Sequence, residues 1–200
     1  SVPQAYPHLG PSRASYLMAS LLTRNVFPSS NKSALLRFWD TSTELALCAA
    51  YIASELGTVD RGEAHTYALF RDFGSAVLIC KFDDYGEASL RMTQSASSIT
   101  AAEKARFGTN HAEIGTGLAR DWQLPDAMID AILWHHADKI FDGGKQPIRD
   151  ESVRLIAIGA LCDRIVDDYE DTEATDATVQ LTSKALRVLA LAYREVDEVE

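Results

Sequence analysis

A proline at position 125 constrains the most informative stretch of this chain, Arg106 to His136. Proline lacks a backbone N–H and clashes with the turn before it, so it suits the first turn of a new helix and not the interior of an old one. Two helices therefore meet at Leu124-Pro125. The first is expected from about His111 to Trp122, after a turn at Gly108 to Asn110, with Ile114, Leu118 and Trp122 along one face as its core face. Gly115 and Ala119 form an adjacent small-residue line that admits another helix closely, although each internal glycine costs about 1 kcal/mol of helix propensity. The second helix carries Met128, Ile129, Ile132 and Leu133 at helical spacing. Asp126 and Asp130 lie in its early turns, and it ends at Trp134-His135-His136.

The same periodicity extends to the rest of the chain. Ser12 is placed to cap a helix carrying Tyr16, Leu17, Leu21 and Leu22, which Phe27-Pro28 ends. From Lys32 to Leu56, Leu35, Leu36, Trp39, Leu45, Ala46, Ala49, Ala50 and Ala53 make a broad apolar face, and Gly57 supplies the stop: a central helix. Asp60 to Phe73 is the next helix, and the turn at Asp72 to Gly74 separates it from an apolar run, Ser75 to Phe82, that resembles a strand locally. Residues 83 to 99 read as loop or irregular helix. Thr100 and Glu103 have the spacing of a capping box for a short helix ending near Phe107. A loop at Asp142 to Pro147 precedes a helix from Glu151 to Tyr169; an acidic break follows, then a last helix over residues 177–196. The expected fold is an all-α bundle forming a single domain.

Composition narrows the class of function. Of 200 residues, 46% are hydrophobic and 24% charged, enough to bury one core and too ordered a mixture for a disordered chain. The formal net charge of -10 gives a phosphate-binding surface no support, so nucleic acid is not an expected partner. Cys48, Cys80 and Cys162 stand in apolar surroundings with no CxxC pair, as buried thiols of a reducing compartment do. No apolar run reaches the ~20 residues of a membrane span, and SVPQAYPHLG has no signal core; a cytoplasmic protein is expected. No GxSxG elbow occurs, and the GTGLA run at Gly115 to Ala119 lacks the lysine of a phosphate loop.

Five pieces in order carry a family resemblance: FWDTSTELALCAAYIA (Phe38 to Ala53), LFRDFGSAVL (Leu69 to Leu78), FGTNHAEIG (Phe107 to Gly115), WQLPDAMIDAILWHH (Trp122 to His136) and IAIGALCDRIVD (Ile156 to Asp167). Over residues 5–168 the chain resembles the HD-related output domain, HDOD, a degenerate relative of the HD and HD-GYP phosphohydrolases. The resemblance implies an HD-like helical bundle. It also implies further helices before AYPHLGPSRASYLMASLL, so residues 1–200 read as one HDOD-like domain cut from a longer chain.

Hydrolases of the HD type hold a divalent cation with an early histidine, an adjacent His-Asp pair and a late aspartate, and the cation lowers the pKa of a bound water. By resemblance these positions fall at Thr41, Arg71-Asp72 and Asp163, so both imidazoles are replaced. A hydroxyl is a poor ligand, and the permanent charge of Arg71 repels a metal and pairs naturally with Asp72 or Asp163. No catalytic residue and no cofactor are therefore expected. Against this, His111, His135 and His136 match histidines that HD-GYP proteins use for extra metals, which together with Asp72 and Asp163 leaves a divalent metal or ligand site open. The plainer expectation is that His111 caps its helix, that His135 and His136 satisfy carbonyls at a helix end, and that Asp72 and Asp163 cap helices or pair with Arg71 and Arg164. His8 and His65 are expected at the surface, and Trp39, Trp122 and Trp134 in the core.

The resemblance implies a non-catalytic regulatory module of bacterial signal transduction. Its expected partners are a signalling protein, a fused sensor or output domain, or a nucleotide-like ligand. Two alternatives stand beside it: a residual metal-dependent phosphohydrolase, and a helical dimerisation scaffold, a homodimer included, whose acidic last helix meets a basic partner.

Overall fold

The computed structural model describes residues 32–89, 99–137, 139–142, 148–169 and 175–197, and these are all helix, turn or loop with no strand. Eight helices can be bounded among the described residues: α1 (Lys32–Leu56), α2 (Arg61–Phe70), α3 (Phe73–Lys81), α4 (Ile99–Phe107), α5 (His111–Asp121), α6 (Asp126–Trp134), α7 (Asp150–Tyr169) and α8 (Asp176–Asp197). The helix expected after Ser12, residues 143–147 of the expected loop, the acidic break at 170–174 and His8 lie outside the described residues. Among the described residues no helix is long and apolar enough to cross a membrane.

Local chemistry sets the helix boundaries. Gly57, at φ 64°, closes α1 by donating to the Ala53 carbonyl at 2.9 Å, a left-handed conformation that glycine takes without steric cost. Asp60 caps α2, its Oδ1 accepting from the backbone N–H groups of Gly62 and Glu63 at 2.8 and 3.0 Å. The apolar run that resembles a strand is the helix α3, whose Gly74, Ala76, Leu78 and Ile79 are buried. Its burial on several sides makes it apolar without a clear helical period.

Helix α1 packs on α2 and α7, α7 also packs on α6 and α8, and α3 crosses α5. The main core joins Leu45, Ala46, Ala49 and Ala53 of α1 to Ala64, Ala68 and Leu69 of α2, to Ala157, Ile158 and Leu161 of α7, and to Leu189 of α8. Each fully buried leucine or isoleucine side chain contributes roughly 1.5–3 kcal/mol. A second core gathers Tyr67, Met128, Ile132, Leu155 and Ile156. Trp39, Phe73, Trp122 and Phe70 form a chain of edge and tilted ring contacts with centroids 5.1–5.7 Å apart.

Four expectations need correction. The face of α5 bearing Ile114, Leu118 and Trp122 is only half-buried, whereas His111, Ala112, Gly115, Thr116 and Ala119 are buried. The small-residue line is the packed one because α3 approaches along it. Trp134 is 38% exposed, since α6 buries Met128, Ile129, Ala131 and Ile132 on the opposite side. His65 is buried on α2 with no hydrogen-bond partner for Nδ1 among the described residues, and burial, then the charge of Arg61, lowers its pKa. Glu103 forms no capping box: it is fully buried, accepting from Tyr85 Oη at 2.5 Å and from His111 N at 3.0 Å.

Candidate functional site

Three helix termini and one helix face meet at this site. Arg71 and Asp72 form the turn between α2 and α3, His111 opens α5, His135 and His136 follow the end of α6, and Asp163 lies on α7. Close packing holds the first two groups in place. A Cβ on Gly74 would lie 2.0 Å from the His111 carbonyl oxygen, so only glycine lets α3 lie directly on the start of α5. That contact brings the 71–72 turn to His111.

Asp72 precedes α3 without capping it, which leaves its carboxylate for side chains. Oδ2 accepts from Arg71 Nε at 2.9 Å, while Oδ1 lies 3.2 Å from His135 Nε2 and 3.5 Å from His111 Nε2. Burial opposes the Asp72 charge, but Arg71, His135 and His111 hold its pKa well below the ordinary carboxylate value. The Arg71 guanidinium is buried and also donates from Nη2 to Asp163, so one cation spans both carboxylates. Burial resists its charge, yet the two aspartates push its pKa further up. Space for it comes from α7: a Cβ on Gly159 would lie 2.7 Å from Arg71 Nη1. Arg164, the other candidate partner, pairs with Asp168.

The imidazoles are oriented from behind. Asn110, not His111, caps α5, its Oδ1 accepting from Glu113 N at 2.8 Å. The His111 ring turns inward instead, with Nδ1 2.7 Å from Glu103 Oε2. His135 Nδ1 lies 2.8 Å from the Ile132 carbonyl oxygen. Both Nδ1 atoms face acceptors and so carry protons, and both Nε2 atoms face each other at 3.3 Å across Asp72. Burial works against charge on His111, but Glu103 and Asp72 raise its pKa above the ordinary histidine value. His136 goes the other way: the protein atoms around its ring, then His135 and His111, push its pKa well below that value.

One ligand atom from each of Asp72, His111, His135 and His136 lies within 4.8 Å of the other three. Bonds of about 2.0–2.1 Å in a tetrahedron place donor atoms about 3.3–3.4 Å apart. The Asp72, His111 and His135 separations of 3.2–3.5 Å match that edge, so these residues fit a divalent cation. Glu103 and the Ile132 carbonyl stand where such centres keep the groups that orient their histidines. Of the positions singled out in the sequence, Asp163 is separated from this cluster by Arg71. Thr41 is exposed on α1. Cys48 of α1 and Cys162, the neighbour of Asp163, belong to the same core.

Sequence reasoning missed Glu103, Tyr85, Gly74 and Gly159. Glu103 has the spacing of a cap, and nothing local marks it as the partner of His111, eight residues away in another helix.

A family model described as the HDOD domain matches residues 1–138. A solved protein from Shewanella amazonensis SB2B, provisionally named a phosphohydrolase, is 20% identical with a TM-score of 0.67, covering 100% of this chain and 73% of that one. An HDOD domain protein of unknown function from Geobacter sulfurreducens is 19% identical with a TM-score of 0.62, covering 99% and 70%. These two establish likeness of fold. The MmoQ response regulator of Methylococcus capsulatus is 28% identical with a TM-score of 0.57, covering 76% of this chain and 56% of that one. No curated protein matches the sequence.

Proposed function

The chain belongs to the HDOD domain family, and from that premise we propose that it is a non-catalytic regulatory output domain that works by binding. Its partner is a signalling protein, a fused sensor or output domain, or a nucleotide-like ligand. The observation that carries this reading is the Arg71 guanidinium held between Asp72 and Asp163. In a hydrolytic centre of the HD kind, carboxylates so placed hold a metal; here a fixed organic cation neutralises them and offers no open position for a water. Similarity to a response regulator supports the signalling context. The test is phosphate release from phosphomonoesters, phosphodiesters and cyclic dinucleotides with added manganese, iron or nickel. No metal-dependent release is expected, and release abolished by His135→Ala would overturn the reading.

A second reading, a residual metal-dependent phosphohydrolase, is favoured by the convergence of Asp72, His111, His135 and His136. A divalent cation bound there would lower the pKa of a coordinated water. Asp72 and His135 would hold the cation, with Glu103 keeping His111 in the tautomer that presents Nε2. Elemental analysis that finds no metal, and calorimetry that finds no uptake, removes this reading.

A further inference from the structure

Tyr85 is buried in the helical segment that follows α3, in one cluster with Ala76, Leu78 and Ile79, and its ring centroid lies 5.4 Å from that of Phe107. Its hydroxyl has two polar neighbours, Glu103 Oε1 at 2.5 Å and Ser75 Oγ at 3.2 Å. A phenol owns one proton and a carboxylate only accepts, so that proton goes to Glu103 and the Ser75 hydroxyl donates to the phenol oxygen. The other carboxylate oxygen, Glu103 Oε2, takes the His111 backbone N–H at 3.0 Å and faces Nδ1 at 2.7 Å. At the far end of this chain Ser75 N donates to the Asp72 carbonyl oxygen at 2.8 Å, and Asp72 Oδ1 lies 3.5 Å from His111 Nε2. The contacts therefore close a ring that runs behind the cluster, from Asp72 through Ser75, Tyr85 and Glu103 to His111.

We propose that Tyr85 is a positioning residue for His111. By holding Oε1 it fixes the Glu103 carboxylate with Oε2 on Nδ1, and so keeps the neutral imidazole as the Nδ1–H tautomer, its Nε2 lone pair toward Asp72 and His135. Glu103 is fully buried, so no solvent replaces a lost donor. Without the phenol, Oε1 loses its anchor and the carboxylate turns about its terminal, broad torsion. Nδ1 then lacks a fixed acceptor, and the single proton divides between the two ring nitrogens. A ring protonated at Nε2 meets Asp72 as a donor and has no lone pair left there for a cation.

Tyr85 acts only through Glu103. The consequence for a divalent cation rests on the metal-binding reading of the cluster, whereas the tautomer belongs to the metal-free chain.

The test begins with the whole, metal-free, 15N-labelled chain and long-range nitrogen–proton correlation spectra, recorded above the pH at which the His111 ring becomes neutral. The wild type should show His111 protonated at Nδ1 and bare at Nε2, a result that needs no variant. Tyr85→Phe keeps the packed ring and removes the hydroxyl, and its His111 nitrogens should move to intermediate shifts. Calorimetry with nickel chloride should then show uptake weakened roughly tenfold in Tyr85→Phe. Ile79→Val, in the same packed cluster, should lower stability and change neither the tautomer nor the nickel affinity. A wild-type His111 protonated at Nε2, an unchanged tautomer in Tyr85→Phe, an equal change in Ile79→Val, or a shifted tautomer with unchanged nickel affinity would overturn the proposal. Absence of nickel uptake by the wild type would remove the metal-binding reading alone, and the spectra would still decide whether Tyr85 positions His111.

Discussion

Gly74 on α3 and His111 on α5 approach so closely that a Cβ on the glycine would sit 2.0 Å from the histidine carbonyl oxygen and 2.9 Å from Gly115 N. Both obstacles are backbone, so neither can swing aside. Gly74→Ala is expected to destabilise the chain by about 3 kcal/mol or more, since overpacking a crossing of two helices forces them apart. Gly117→Ala on the same α5 has open space around it and should be stabilising by up to about 1 kcal/mol, the difference in helix propensity. Urea unfolding of the two variants checks the contrast in sign.

Arg71→Ala leaves Asp72 and Asp163 facing each other without their shared cation. The expected loss is about 3 kcal/mol, the low end for a broken buried pair, because Asp163 reaches solvent. Arg71→Lys should recover only part of it, since an ammonium cannot span two carboxylates as a planar fork does. The pH dependence follows from Asp72, whose depressed pKa gives stability that is present above pH about 3.9 and lost as pH falls through the folded value. Arg71→Ala should flatten that acid limb, as read by unfolding free energy between neutral pH and acid.

Glu103→Gln removes the charge behind His111 while keeping a hydrogen-bond acceptor. Because the folded pKa of His111 is raised, its contribution to stability is complete below pH about 6.5 and fades as pH rises through the folded value. Glu103, lowered against burial by His111 and Tyr85, contributes above its ordinary pKa and loses that contribution in acid. The difference in stability between wild type and Glu103→Gln should therefore be larger at pH 5.5 than at pH 8.5. Titration of the imidazole resonances by NMR should place His111 above the ordinary value, lower in the variant, and His136 well below it.

The helices were legible in the sequence because their periods are long and their stops are chemical. Lys32–Leu56 ends at Gly57, and α6 begins directly after Pro125. Legibility failed where burial erased the period, as in α3, and where packing used the absence of side chains, as on the Gly115 line of α5. At the site, motif order pointed to Asp72, His111, His135, His136 and Asp163; the fold brings one ligand atom of each of the first four within 4.8 Å of the others, while Asp163 stands apart on Arg71. The groups that orient them could not be read in the same way. Glu103 faces His111 only because α4 returns against α5, and Gly159 matters only because Arg71 needs its space. Such relations are tertiary and leave no local spacing to detect.

The central claim is that the Arg71 guanidinium stands between Asp72 and Asp163 where a hydrolase of this fold would hold its metal. An anomalous difference map from crystals grown with manganese tests it most directly. The account predicts Arg71 bridging both carboxylates with no anomalous peak between them. A peak ligated jointly by Asp72 and Asp163, with the arginine displaced, would contradict it.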